Sequence, residues 1–142
     1  MRSTLVLFAL LLASCATAPE VEYYTSPANA GRPFSDAVRV GNMLYLSGQI
    51  GTDASGKVVP GGIQAETRQT MENIRAILER HGSSMEKVVK CTAMLADVRE
   101  WSAMNEVYVT YFPKNKPARS ALGADGLALG ARVEIECWAV RP

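Results

Sequence analysis

Val133-Glu134-Ile135-Glu136-Cys137-Trp138-Ala139-Val140 alternates in the manner of a β-strand, with Val133, Ile135, Cys137 and Ala139 on one face and Glu134 and Glu136 on the other. Glu134 is therefore expected on a sheet surface and not in a loop. Just upstream runs Lys116-Pro117-Ala118-Arg119-Ser120-Ala121-Leu122-Gly123. Arg119 lies there between a proline and a series of small residues, where a short extended segment can hold a guanidinium at a fixed height. A guanidinium meets a carboxylate through a two-pronged hydrogen bond. The residues alone leave two readings open: an anion clamp, or a solvated arginine beside a water-facing strand.

Working outward, the other expected strands are 36–40, 43–47, 87–96 and 118–122, with 132–140 last. Val21–Thr25 has the make-up of a first edge strand. The turn chemistry of Asp53-Ala54-Ser55-Gly56 separates extended segments. Met71, Ile74, Ile77 and Leu78 recur at helical spacing, and His81-Gly82 closes that pattern with C-terminal capping chemistry. Asp97 and Glu100 stand at a capping-box spacing before a second helix. That helix carries Trp101, Met104, Val107, Tyr108 and Tyr111, read as a stripe packed on the sheet, and Pro113 ends it. Strands, helix, strand, helix, strands make an α+β sandwich: a mixed sheet with both helices on one face.

The segment Gly41-Asn42-Met43-Leu44-Tyr45-Leu46-Ser47-Gly48-Gln49-Ile50, the helix beginning Gln69-Thr70-Met71-Glu72-Asn73-Ile74, the strand 88–97, and then Pro117-Ala118-Arg119-Ser120 and Val133-Glu134-Ile135-Glu136 fall in one order. That order resembles the Rid (YjgF-type) family of reactive imine/enamine deaminases, from about Tyr23 to Arg141. The resemblance implies a chorismate-mutase-like fold and hydrolysis of 2-imino acids such as iminopropanoate and iminobutanoate to 2-oxo acids and ammonia, with no cofactor. It implies that Arg119 holds the substrate carboxylate and that Glu134 positions and activates the attacking water. Phe34, Ser47, Gly48 and Ala121 would line the pocket. Three positions depart from the family pattern: Phe34 stands for a frequent tyrosine, Ala121 for a frequent cysteine and Ala128 for a common proline.

The open face of the sheet, expected to carry Leu44, Leu46, Trp138 and Val140 or their alternates, is too apolar to be left wet. The resemblance resolves this with a homotrimer whose sites lie in clefts between subunits, Arg119 and Glu134 coming from one subunit and facing Phe34 of another. Two other readings share the fold. One is a non-enzymatic module that binds a small carboxylate or an envelope partner. The other is chorismate-mutase chemistry, which wants several cations where only Arg132 and Arg141 accompany Arg119.

At the amino terminus, one basic residue precedes an apolar run from Leu5 to Ala13, the layout of a signal peptide over residues 1–14 and too short for a stable membrane span. Leu12-Ala13-Ser14-Cys15 resembles a bacterial lipobox, which implies acylation of Cys15 and a lipid anchor at the envelope, on the outer membrane if the source is Gram-negative. Residues 15–33 then read as a tether carrying the first edge strand, and 34–142 as the domain proper.

The formal charge of +1 with interspersed signs gives no basic stripe, so nucleic acid is not indicated. Beyond Cys15, Cys91 and Cys137 occupy alternating strand positions among apolar neighbours, either as buried thiols or as a disulfide in an oxidising envelope. The single histidine, His81, reads as a helix cap and there is no paired cysteine motif, which argues against the usual zinc sets and Ser-His-Asp triads.

Overall fold

The computed structural model describes residues 18–142; the signal segment and Cys15 lie outside the described residues. Nine elements carry the architecture: β1 (Val21–Tyr24), β2 (Ala37–Val40), β3 (Met43–Leu46), β4 (Gln49–Ile50), α1 (Gly62–Arg80), β5 (Val88–Leu95), α2 (Trp101–Tyr108), β6 (Ala118–Gly123) and β7 (Val133–Val140). The sheet runs β1-β2-β3-β7-β5-β6, and the short β4 pairs with β7 beyond the end of β3. Every pairing is antiparallel except β5 with β6, which needs the α2 crossover to bring the chain back in the same direction. This is the α+β sandwich with a mixed sheet that the alternation and helical spacings predict.

Alternation sorts the core. Val133, Ile135, Cys137 and Ala139 of β7 are fully buried, as are Cys91, Ala93 and Leu95 of β5. All face Met71, Ile74 and Leu78 of α1 and Met104 of α2 in one cluster. Each large aliphatic side chain so buried contributes about 1.5–3 kcal/mol. The C-terminal end of α1 closes as its sequence predicts. Gly82 takes a φ of 75°, its N–H bonds to the Glu79 carbonyl, and the Ser83 N–H reaches back to Leu78 at 2.8 Å. His81 is the capping residue there and stacks on Tyr24, with ring centres 4.2 Å apart.

Two expectations change in detail, and two that were open resolve. Leu44 and Leu46 belong to the core, and their alternates Met43 and Tyr45 occupy the open face. There Tyr45 sits opposite Trp138 and meets it edge-on, with ring centres 5.2 Å apart. The reason is register: Leu44 pairs with Ala139, and cross-strand partners share a face. Asp97 caps through the Arg99 N–H at 2.9 Å, while Glu100 turns to Arg132 and does not reach back as a capping box requires. Trp101, expected on the packed stripe, is 41% exposed: it opens α2 and lines the cleft beside Arg119 instead of the core. The two open possibilities for Cys91 and Cys137 resolve to a disulfide between directly paired positions of β5 and β7.

Candidate functional site

Glu134 is placed by the break between β3 and β4. Ser47 and Gly48 interrupt the strand, and Gln49 closes the break by donating from Nε2 to the carbonyls of Ser47 and Gly48, each at 3.1 Å. The two residues of β4 then pair with Ile135 and Glu134. Helix α1 holds β4 from behind: Asn73 donates to the carbonyls of Ile50 and Thr52, both at 3.0 Å. The buried Glu66 accepts the Arg132 N–H at 2.7 Å and so fixes the approach to β7. Gly51 allows this packing, since a Cβ there would lie 2.6 Å from the Glu66 carbonyl oxygen.

Over that break the Glu134 side chain lies against Gly48. A Cβ at Gly48 would stand 2.8 Å from Glu134 Cδ and collide with its Oε1, so glycine is required for the carboxylate to take this position. Around it opens a cleft of about 520 Å³ shared by Phe34, Ser47, Gly48, Gln49, Leu129 and Glu134. The Ser47 hydroxyl donates to the Ser35 carbonyl at 2.6 Å, so it braces the 25–36 segment at the cleft rim.

That segment is pinned by Asp36, which is 3% exposed. Its carboxylate accepts the Asn29 amide and the Ser26 N–H. Burial alone would disfavour its charge, but these hydrogen bonds outweigh burial and hold the Asp36 carboxyl below the usual range. Leu129, at φ 56°, is the one non-glycine residue with positive φ among the described residues, and it is 69% exposed on the same rim.

Arg119 is elsewhere. It pairs with Cys91 in the parallel register of β6 and β5, so it shares the face of that buried cysteine, the helix side. Glu134 shares the opposite, open face with Met94. On the helix side, Asn105 of α2 accepts from Arg119 Nη1 at 2.6 Å. The guanidinium carbon lies 4.6 Å from the Tyr108 ring centre and 5.6 Å from that of Trp101. Burial pushes the Tyr108 hydroxyl up to about 12 despite the neighbouring Arg119, so the ring is neutral beneath its cation. These groups, with Phe112, Lys116 and Pro117, line a separate, more apolar cleft of about 690 Å³.

The structure thus brings together Phe34, Ser47, Gly48 and Glu134 but not Arg119 or Ala121. Ala121 sits two positions along β6 from Arg119, opposite Ala93. This corrects the expectation that Arg119 and Glu134 of one subunit face Phe34 of another: Phe34 and Glu134 share one chain's cleft, and Arg119 points away from it. Sequence reading also missed Asn105. Its signal was present, because Trp101, Asn105 and Tyr108 lie four and three residues apart on one helix face. Among the described residues no group of three or more His, Cys, Asp or Glu side chains could hold a metal ion. No helix among them is long and apolar enough to cross a membrane.

Comparison with known proteins agrees with this fold. The family model described as Endoribonuclease L-PSP matches residues 25–141. The chain is 47% identical over 117 residues to the 2-iminobutanoate/2-iminopropanoate deaminase of Capra hircus, covering 82% of this chain and 85% of that protein. It is 43% identical over 110 residues to the human protein of the same name, covering 77% and 80%. The crystal structure of the Escherichia coli YjgF gene product superposes with a TM-score of 0.78 at 32% identity, over 85% of this chain and 99% of that one. With the mixed sheet, the two helices on one face and this match across the domain, the chain belongs to the Endoribonuclease L-PSP family, the Rid and YjgF proteins.

Proposed function

We propose that this protein hydrolyses 2-imino acids to 2-oxo acids and ammonia at a site assembled from two copies of the chain. One copy supplies the cleft of Glu134, Gly48, Ser47 and Phe34; a neighbour supplies Arg119. The observation that carries this is the opposition of the two charged groups across the sheet. One chain cannot close both on a small substrate, whereas two chains packed through their open faces and edges can.

In this reading Arg119, held by Asn105 through one nitrogen, has donors left for the substrate carboxylate. The protonated imine carbon then lies beside Glu134. A water attacks that carbon, its oxygen forming the new C–O bond while the Glu134 carboxylate takes its proton. Transfer of a proton to the amine nitrogen lets the C–N bond break, releasing ammonia and leaving the 2-oxo acid. The electrophile is already activated by its own charge. Orientation and one general base therefore supply what the reaction needs, the base contributing on the order of 10²–10⁴-fold.

A homotrimer is the assembly proposed, and the open face supports it. Tyr23 is 72% exposed there, Leu122 46% and Trp138 40%, a surface more apolar than a lone chain usually leaves in water. The Cys91–Cys137 disulfide supports an oxidising, envelope location, as the amino-terminal lipobox reading implies. Cys15→Ser is expected to move the protein out of the membrane fraction; retention there would remove the lipid anchor from the reading.

The test of the site is complementation. Arg119→Ala and Glu134→Gln subunits are each expected to be inactive on 2-iminopropanoate. When the two are dissociated, mixed in equal amounts and reassembled, about a quarter of the sites regain both groups by random assortment. Recovery of roughly that activity supports the two-copy site. No recovery from folded, mixed oligomers would refute it.

A further inference from the structure

The Glu134 cleft contains a cation that the reaction as written does not use. Arg32 lines it together with Asn29, Phe34 and Glu134. Its guanidinium carbon lies 6.0 Å from the centre of the Phe34 ring, so it stands over the ring at the cleft mouth. Among the described residues no carboxylate pairs with it; in this it is like Arg68, Arg80, Arg119 and Arg141 and unlike Arg39, Arg75, Arg99 and Arg132, and of the unpaired ones it alone lines this cleft. Its backbone is not loose: the Arg32 N–H bonds to the Asn29 carbonyl at 3.0 Å, and Asn29 is tied through its side chain to the buried Asp36. The residue is exposed, but its backbone is anchored at the rim, and its guanidinium stands over Phe34 with no carboxylate among the described residues paired to it.

We infer that Arg32 reads the far end of the substrate, so that the preferred imines are those of acidic amino acids, whose side chains end in a carboxylate. This rests on the deaminase reading above. Charge and volume both favour it. Arg32 and the neighbour's Arg119 against Glu134 leave the assembled site one net positive charge, which complements an iminium dicarboxylate of net charge minus one. Without Arg32, a second carboxylate entering this cleft would meet Glu134 as the only charged side chain of the same chain lining it. The cleft, at about 520 Å³, is also far larger than an imine with a methyl side chain requires.

The experiment compares two probes on the assembled mature protein: 2-iminosuccinate, generated in place from aspartate by an aspartate oxidase, and 2-iminopropanoate, generated from alanine by an amino-acid oxidase. The readout is accelerated release of ammonia, expressed as the ratio of kcat/KM for the first imine to that for the second. The wild-type ratio is expected to exceed one. Arg32→Ala should lower it by about tenfold or more, as loss of a charge-assisted hydrogen bond does, Arg32→Glu should lower it further, and Arg32→Lys should restore part of it. Turnover of iminopropanoate without iminosuccinate, or a ratio unchanged by Arg32→Ala, overturns the inference and leaves the deaminase reading standing. Equal loss on both imines also overturns it, by making Arg32 a ligand of the common carboxylate. If the wild type accelerates neither imine, the deaminase reading itself fails and this inference fails with it.

Discussion

The two charged groups that matter most are held in contrasting ways. Glu134 is placed by room: the missing side chain at Gly48, in the break between β3 and β4, leaves the space its carboxylate occupies. Arg119 is placed by attraction, through one hydrogen bond to Asn105 and the faces of Tyr108 and Trp101. The first arrangement sits on the sheet's open face between central strands. The second sits on the helix side of an edge strand, where β6 has a hydrogen-bonded neighbour only in β5. The contrast teaches that the proposed general base lies within the domain's own cleft, while the proposed anion clamp lies at the sheet edge, where the two-copy reading needs it.

Breaking the Glu134 half should cost most. Glu134→Gln is expected to lower kcat for 2-iminopropanoate by about 10²–10⁴-fold with little change in KM, since the amide keeps the shape and loses the base. Steady-state kinetics decide this, and a change in KM alone would make Glu134 a binding group. Gly48→Ala attacks the same half sterically. The added methyl must displace the Glu134 carboxylate, so kcat should fall by about 10²-fold, and overpacking should cost about 1–3 kcal/mol in denaturant unfolding. Near-normal turnover in this variant would show that Glu134 works from some other position.

The attractive half should yield more gently. Asn105→Ala leaves the guanidinium on its aromatic seat but frees its direction, and KM is expected to rise by about tenfold with the fold intact, the cost of losing a hydrogen bond to a charged group. An unchanged KM would remove Asn105 from the clamp. Last and smallest is the acid response of the rim. Asp36 has a folded pKa below its unfolded value of about 3.9, so its carboxylate contributes stability above that value and the contribution fades as pH falls through the lower, folded one. Wild type should therefore lose stability below about pH 4 more steeply than Asp36→Asn, by about 1 kcal/mol in parallel urea titrations. Identical acid limbs would show that the pin at Asp36 is not felt globally.

Much of the molecule is legible in its sequence. The alternation of β7 assigned each of its residues to the right face, and the glycine after His81 marked the end of α1 where the capping bonds are found. β4 was not legible as a separate element, because two residues carry no periodicity; it exists only because Glu134 and Ile135 offer it partners. The role of Asn105 was hidden for a related reason. A polar residue on a helix face reads as solvated until the strand brought against it carries a guanidinium.

By itself the sequence determined which side chains share a face on each strand, where the helices close, and which two charged residues to watch. Those are local properties, set by a repeat of two or of 3.6 residues and by backbone conformations that glycine permits. Only the tertiary structure decided that Arg119 and Glu134 lie on opposite sides of the sheet. A strand's own alternation carries no sign: which of its two faces meets the helices is chosen by register with its neighbours. Here the pairing of Arg119 with Cys91, and of Glu134 with Met94, set the two groups apart.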